Sequence, residues 1–236
     1  MKAAQKDSHR AAMTIATSLV LLLVLLAPIA KAHTPENWFY AQWNAPVLGG
    51  PALVQYGFAP SFPSSSAWET RVNNGSSVWT NRSAGDLTFQ STGDLATEPD
   101  RDPCRTTTDP NSVHYAYIDG NSGTNTLAAT AVCYSTATSA AGQGRMLRFS
   151  MTYDSGNTFY TGTGQPSSSQ VDLYSVASHE FGHAAGGWGA HWDQQGQASL
   201  CPTHSGRHTM CSTLEPGTNF MRSLNTHDAH TFETQY

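Results

Sequence analysis

The sequence predicts an α+β domain: a twisted mixed sheet with helices packed on it, an irregular C-terminal subdomain and a last helix. Three observations carry this. Residues 146–153 alternate Leu147, Phe149, Met151 and Tyr153 against Arg148, Ser150 and Thr152, the two-residue period of a strand. From Asp172 to about Gly186, Leu173, Val176, Ala177 and Ala184 supply an apolar helix side, with Asp172 as N-cap and Gly186-Gly187 as a stop. Some forty residues without periodicity follow, a length that in a compact domain points to function or cross-linking.

The other elements follow in order. Residues 53–58 read as a strand, and 66–79 as a helix with Trp68, Val72 and Trp79 on one side and Ser64 to Ser66 available as caps. Short strands are expected at 86–90 and 114–118. An Ala/Val/Thr strand is expected at 127–134, and a last helix from about Thr226. Residues 61–66 and 162–169 are turn-rich connectors.

The N-terminus reads as an export signal. Lys2, Lys6 and Arg10 precede the mostly apolar 11–27, and Ala30-Lys31-Ala32 fits a small-x-small cleavage site. The apolar core, 18–27, is short for a membrane span of roughly 20 residues. The expected organisation is a signal peptide over 1–32 and one secreted domain over 33–236. Without the leader, 8 arginines face 16 acidic residues, a net charge of −8. Such a surface argues against nucleic acid or an anionic membrane as partner, and a monomer is expected. Cys104, Cys133, Cys201 and Cys211 read as two disulfides in an exported chain. Three pairings are open; Cys104–Cys133 with Cys201–Cys211 is favoured because each closes a local loop.

The chemical signal is His179-Glu180-Phe181-Gly182-His183. On a helix, positions i and i+4 share a face, so both imidazoles can grip one zinc ion. Zinc brings the pKa of a bound water toward neutrality, and a carboxylate such as Glu180 can take its proton. A third ligand is needed. His191 is favoured, because Gly186, Gly187 and Gly189 let the chain fold back; Asp193, His204, His208 and Glu215 are the other candidates.

The run His179 to Gly186 resembles the matrixin branch of the metzincins, whose HEFGHxxG pattern ends in a third histidine. That histidine usually stands three residues after the glycine, where this chain has Gly189; His191 implies a two-residue insertion. Met210, in His208-Thr209-Met210-Cys211, resembles the Met-turn methionine, and Arg222-Ser223-Leu224 with Asp228 resembles the matrixin ending. The resemblance implies a metzincin-like fold and a zinc endopeptidase with Glu180 as general base and acid. It makes 127–134 the cleft's edge strand, with Leu127, Ala128, Ala129 and Thr130 pairing with an extended protein or peptide substrate. It also has Ser212 and Thr213 lining the pocket for the side chain after the scissile bond. Residues 119–123 have the composition of a calcium loop, although a plain turn is the simpler reading. Two alternatives stand beside this: a non-catalytic module held by a closed zinc site, and a peptidase with Glu215 as third ligand.

Overall fold

The computed structural model describes residues 41–43, 52–83, 86–118, 126–135, 144–186, 208–211 and 214–233. All lie in one compact unit, Pro35–Tyr236. The expected signal peptide, the 119–123 turn and most of the irregular stretch after the central helix lie outside the described residues.

In chain order the strands are β1 (Ala41–Gln42), β2 (Ala52–Phe58), β3 (Leu87–Asp94), β4 (Asn111–Ala116), β5 (Ala128–Ser135), β6 (Gly144–Asp154), β7 (Phe159–Tyr160) and β8 (Val171–Asp172). The helices are α1 (Ser66–Thr80), α2 (Leu173–Ala184) and α3 (Thr226–Glu233), with a 3₁₀ turn at Phe220–Arg222. The main sheet runs β1-β6-β4-β2-β3, with parallel pairings throughout that path. β5 adds antiparallel along β6, so the sheet is mixed, as expected. β7 and β8 form a small parallel pair that leads into α2.

One expectation about β6 is corrected. Phe149, Met151 and Tyr153 are fully buried, but Leu147 is 40% exposed while Met146 is 2% exposed. The β5 partner of Arg148 is Cys133, and the next β5 residue, Tyr134, pairs with Met146, so Leu147 is skipped. This bulge inserts one residue into β6 and reverses which side chains face inward beyond it.

The helices are held by tertiary packing more than by propensity. α2 is 12 residues long and contains Gly182, two serines and two histidines; Gly alone costs about 1 kcal/mol relative to Ala in a helix interior. Burying Phe181 returns roughly 1.5–3 kcal/mol. Its ring lies 5.0 Å from that of Phe89, 5.1 Å from Tyr56 and 6.0 Å from Phe149, so it anchors α2 on β2, β3 and β6. α1 crosses the same helix at Gly75, where an added Cβ would lie 2.5 Å from that of Ala177. The Trp79 indole closes the crossing by donating to the Ser178 carbonyl at 2.7 Å. At the start of α1, the Ser65 hydroxyl accepts from the Trp68 N–H.

Asp172 ends β8 and caps α2. Its Oδ2 accepts from the Ser175 N–H at 2.9 Å and hydroxyl at 2.7 Å. Arg222 meets the same buried carboxylate through Nε at 2.9 Å and Nη2 at 2.5 Å. It also donates to the carbonyls of Thr163 and Gly164. One bidentate pair thus joins the 3₁₀ turn, the 162–164 connector and the head of α2.

Cys104 and Cys133 form the expected disulfide, tying the 95–110 loop to β5. Cys211 is also disulfide-bonded; its expected partner Cys201 lies outside the described residues. Among the described residues, no helix is long and apolar enough to cross a membrane.

The 95–110 loop has a second tether at His114, which is 0% exposed on β4. Its Nδ1 lies 2.7 Å from Glu98 Oε1, and its Nε2 lies 2.8 Å from the Ser112 hydroxyl. Glu98 also accepts from the Ser61 N–H and hydroxyl. Burial holds the His114 pKa below 6.5, outweighing the Glu98 carboxylate; Arg101 adds to the depression and Asp100 opposes it. The contact is therefore a hydrogen bond from a neutral ring near pH 7. Burial would raise Glu98, but its hydrogen bonds from Ser61 and His114 keep it below 4.5. Both groups bind protons more readily in the unfolded chain, so both contributions are lost as pH falls. Melting temperature should decline below about pH 6.5, more steeply below 4.5, and the upper part of that decline should flatten in His114→Gln. Identical profiles for the two proteins would contradict this account.

Candidate functional site

In α2, Tyr174, His179 and His183 alone are not buried. Phe181 stands two residues from each histidine, about 200° around a helix with 3.6 residues per turn. Burying Phe181 therefore turns both imidazoles away from the core. Their Nε2 atoms meet 3.0 Å apart, with the rings edge-on at 4.8 Å between centroids.

The orientation of His179 is set from outside its helix. Its Nδ1 lies 3.0 Å from the Thr209 carbonyl oxygen. A carbonyl can only accept, so Nδ1 carries the proton and Nε2 keeps its lone pair for another partner. Thr209 is itself pinned: its N–H donates to Asp228 Oδ2 at 2.6 Å, and its hydroxyl donates to the Ser223 carbonyl at 2.9 Å. Asp228 is buried on α3, with Oδ1 3.5 Å from His208 Nδ1. The last helix thus positions the first histidine through one carboxylate and one turn.

Met210 follows Thr209 and is 3% exposed beneath the helix. Gly182 is the reason it fits. An added Cβ there would collide with Met210 Sδ and lie 2.7 Å from the Trp79 ring. Gly186, with φ 101°, then ends the helix in the left-handed region. The Trp43 indole donates to the Ala184 carbonyl at 2.7 Å, satisfying part of the helix C-terminus.

Glu180 is 4% exposed. Its Oε2 accepts from the Thr130 hydroxyl at 2.6 Å. Its negative charge also adds to the burial that pushes the Tyr153 phenol upward. Glu180 and His179 form one wall of a cavity of about 670 Å³. Leu127 and Ala128 at the β5 edge line it, as do Leu214, Glu215 and Met221.

The sequence-predicted residues therefore divide into three groups. His179, Glu180, His183, Met210, Leu127, Ala128 and Thr130 come together around α2 and β5. Ala129 is exposed on β5, beside Thr130. His191, Asp193, His204, Ser212 and Thr213 lie outside the described residues. Among the described residues, no group of three or more His, Cys, Asp or Glu is placed to hold a metal; Glu215 lines the same cavity as His179 and Glu180. His208 belongs with Asp228. Sequence reading missed the Thr209 carbonyl and Trp43, and backbone and indole donors of this kind leave no motif. The role of Asp228 had a partial signal, its place in the matrixin-like ending. Two imidazole nitrogens from one helix face, one of them with its tautomer fixed by a carbonyl, suit a divalent metal with imidazole preference.

Neither models of known protein families nor curated proteins give a match to this chain. Its functional reading rests on the residues and their geometry.

A Gly182→Ala substitution tests the packing that holds this geometry. It should destabilise the fold by about 1–3 kcal/mol through overpacking, despite the better helix propensity of Ala. Urea denaturation measures the difference; equal or greater stability would mean that Met210 does not press on the helix.

Proposed function

We propose that this chain is an exported zinc-dependent endopeptidase of the metzincin type. The observation that carries the reading is the pair of imidazole nitrogens 3.0 Å apart on α2, with the Thr209 carbonyl behind one of them. That donor set fits zinc: ligand nitrogens on a tetrahedral ion at about 2.0–2.1 Å stand about 3.3 Å apart. His179 and His183 would hold the ion, and His191 is the proposed third ligand.

When bound, zinc supplies Lewis acidity, which acidifies a water and polarises the scissile carbonyl. The chain's own groups do the rest. Glu180, in the cavity wall beside His179, accepts the water's proton as attack begins and delivers it to the leaving amine. Thr209, itself held by Asp228, keeps the His179 ring in one tautomer. The cavity's apolar walls, Leu127, Leu214 and Met221, take a substrate side chain and exclude water around it. β5 is antiparallel to β6, and an extended peptide added along its other edge would be bound by backbone hydrogen bonds. A buried carboxylate facing a cavity favours this reading over a closed structural metal site, which has no use for a base.

A peptide-library digest read by mass spectrometry, with and without chelator, tests the proposal. Wild-type protein should cut peptide bonds and stop when zinc is removed. Glu180→Gln should keep one zinc per chain and lose activity by roughly 10²–10⁴-fold. Undiminished proteolysis in pure Glu180→Gln protein would end the assignment of Glu180 as base.

A further inference from the structure

Thr130 was expected to serve the substrate through its strand. Its side chain does something else. On β5 the flanking Ala129 and Ala131 are exposed, and the two-residue alternation of a strand sends Thr130 to the opposite face. There its hydroxyl lies 2.6 Å from Glu180 Oε2 and 3.3 Å from the Glu180 carbonyl oxygen. A hydroxyl has one proton, and the shorter contact to the charged oxygen takes it.

We propose that Thr130 is the positioning residue for the catalytic base, holding the Glu180 carboxylate in its working rotamer from the strand that borders the cleft. This rests on the peptidase reading of the site. A glutamate side chain has three rotatable bonds, and a 4%-exposed carboxylate needs donors in place of water. Among the described residues, Thr130 supplies one. By occupying Oε2 it leaves Oε1 to receive the water's proton and to release it to the amine; the Thr130 proton itself does not move. Branching at Cβ restricts χ1 of Thr130, so the hydroxyl is presented in a fixed direction. The same contact couples β5 to α2, so a substrate strand and the base share one reference frame.

Three variants test this beside Glu180→Gln. Thr130→Val keeps shape and removes the donor, Thr130→Ala removes both, and Thr130→Ser keeps the donor. With a peptide substrate, Val and Ala should lower kcat by on the order of ten- to a hundredfold, with KM within about twofold, because a misplaced base spoils the chemical step. Ser should recover most of the loss, and zinc content should be unchanged throughout. A second readout needs no catalysis. Thr130→Val should lower the melting temperature by roughly 5 °C when Glu180 is present, and by little in a Glu180→Ala background. Wild-type kcat in Thr130→Val, a loss carried by KM, failure of Ser to rescue, or absence of thermal coupling would each overturn the proposal. A wild-type protein that cuts no peptide while the coupling persists would instead overturn the peptidase reading, and the catalytic role of Thr130 with it.

Discussion

The rotation of α2 about its own axis is the constraint on which the site depends. A helix places successive side chains about 100° apart, so fixing one residue's direction fixes all the others. Phe181 is fixed by three aromatic rings of the sheet, and Ala177 by close approach to Gly75. Gly182 is fixed by Met210 and Trp79. With those three faces committed, His179 and His183 have one direction left, and their nitrogens converge there. The weak helix propensity of this segment matters little, because burial of one aromatic side chain exceeds the cost of its glycine.

Two buried carboxylates extend that constraint to the rest of the domain. Asp172 caps the helix and receives Arg222, while Asp228 holds the turn whose carbonyl orients His179. Both partners come from the last fifth of the chain. The C-terminal segment is thus part of the site's support, and removing Arg222 would leave the buried Asp172 charge without its cation, at about 3–5 kcal/mol. The disulfide at Cys104 and the His114–Glu98 contact do comparable work for the 95–110 loop, fastening it to β5 and β4.

Some of this was legible in the sequence and some was not. The limits of α2, its Asp172 cap and the glycine at its end follow from local chemistry, and Leu173–Ala184 matches the expected 172–186 closely. The five longer strands, β2 to β6, were also expected, with ends shifted by up to four residues, whereas the two-residue strands β1, β7 and β8 were not. The inward face of β6 was misread at Leu147, because a bulge is produced by pairing with β5 and leaves no period of its own. Thr130 was assigned to substrate through its strand, whereas its hydroxyl turns to Glu180. Strand alternation says that it faces away from Ala129; it does not say what waits on that side.

The sequence by itself determined the chemistry on offer: two imidazoles at i and i+4, a carboxylate between them, glycines where the chain must turn or pack closely, and cysteines suited to an oxidising compartment. These are properties of residue type and spacing along one helix, and they need no partner to be read. Only the tertiary structure decided how that chemistry is aimed. The Thr209 carbonyl, the Thr130 hydroxyl and the Asp228 carboxylate reach α2 from segments distant in sequence, and hydrogen bonds between such segments exist only once the chain has closed on itself.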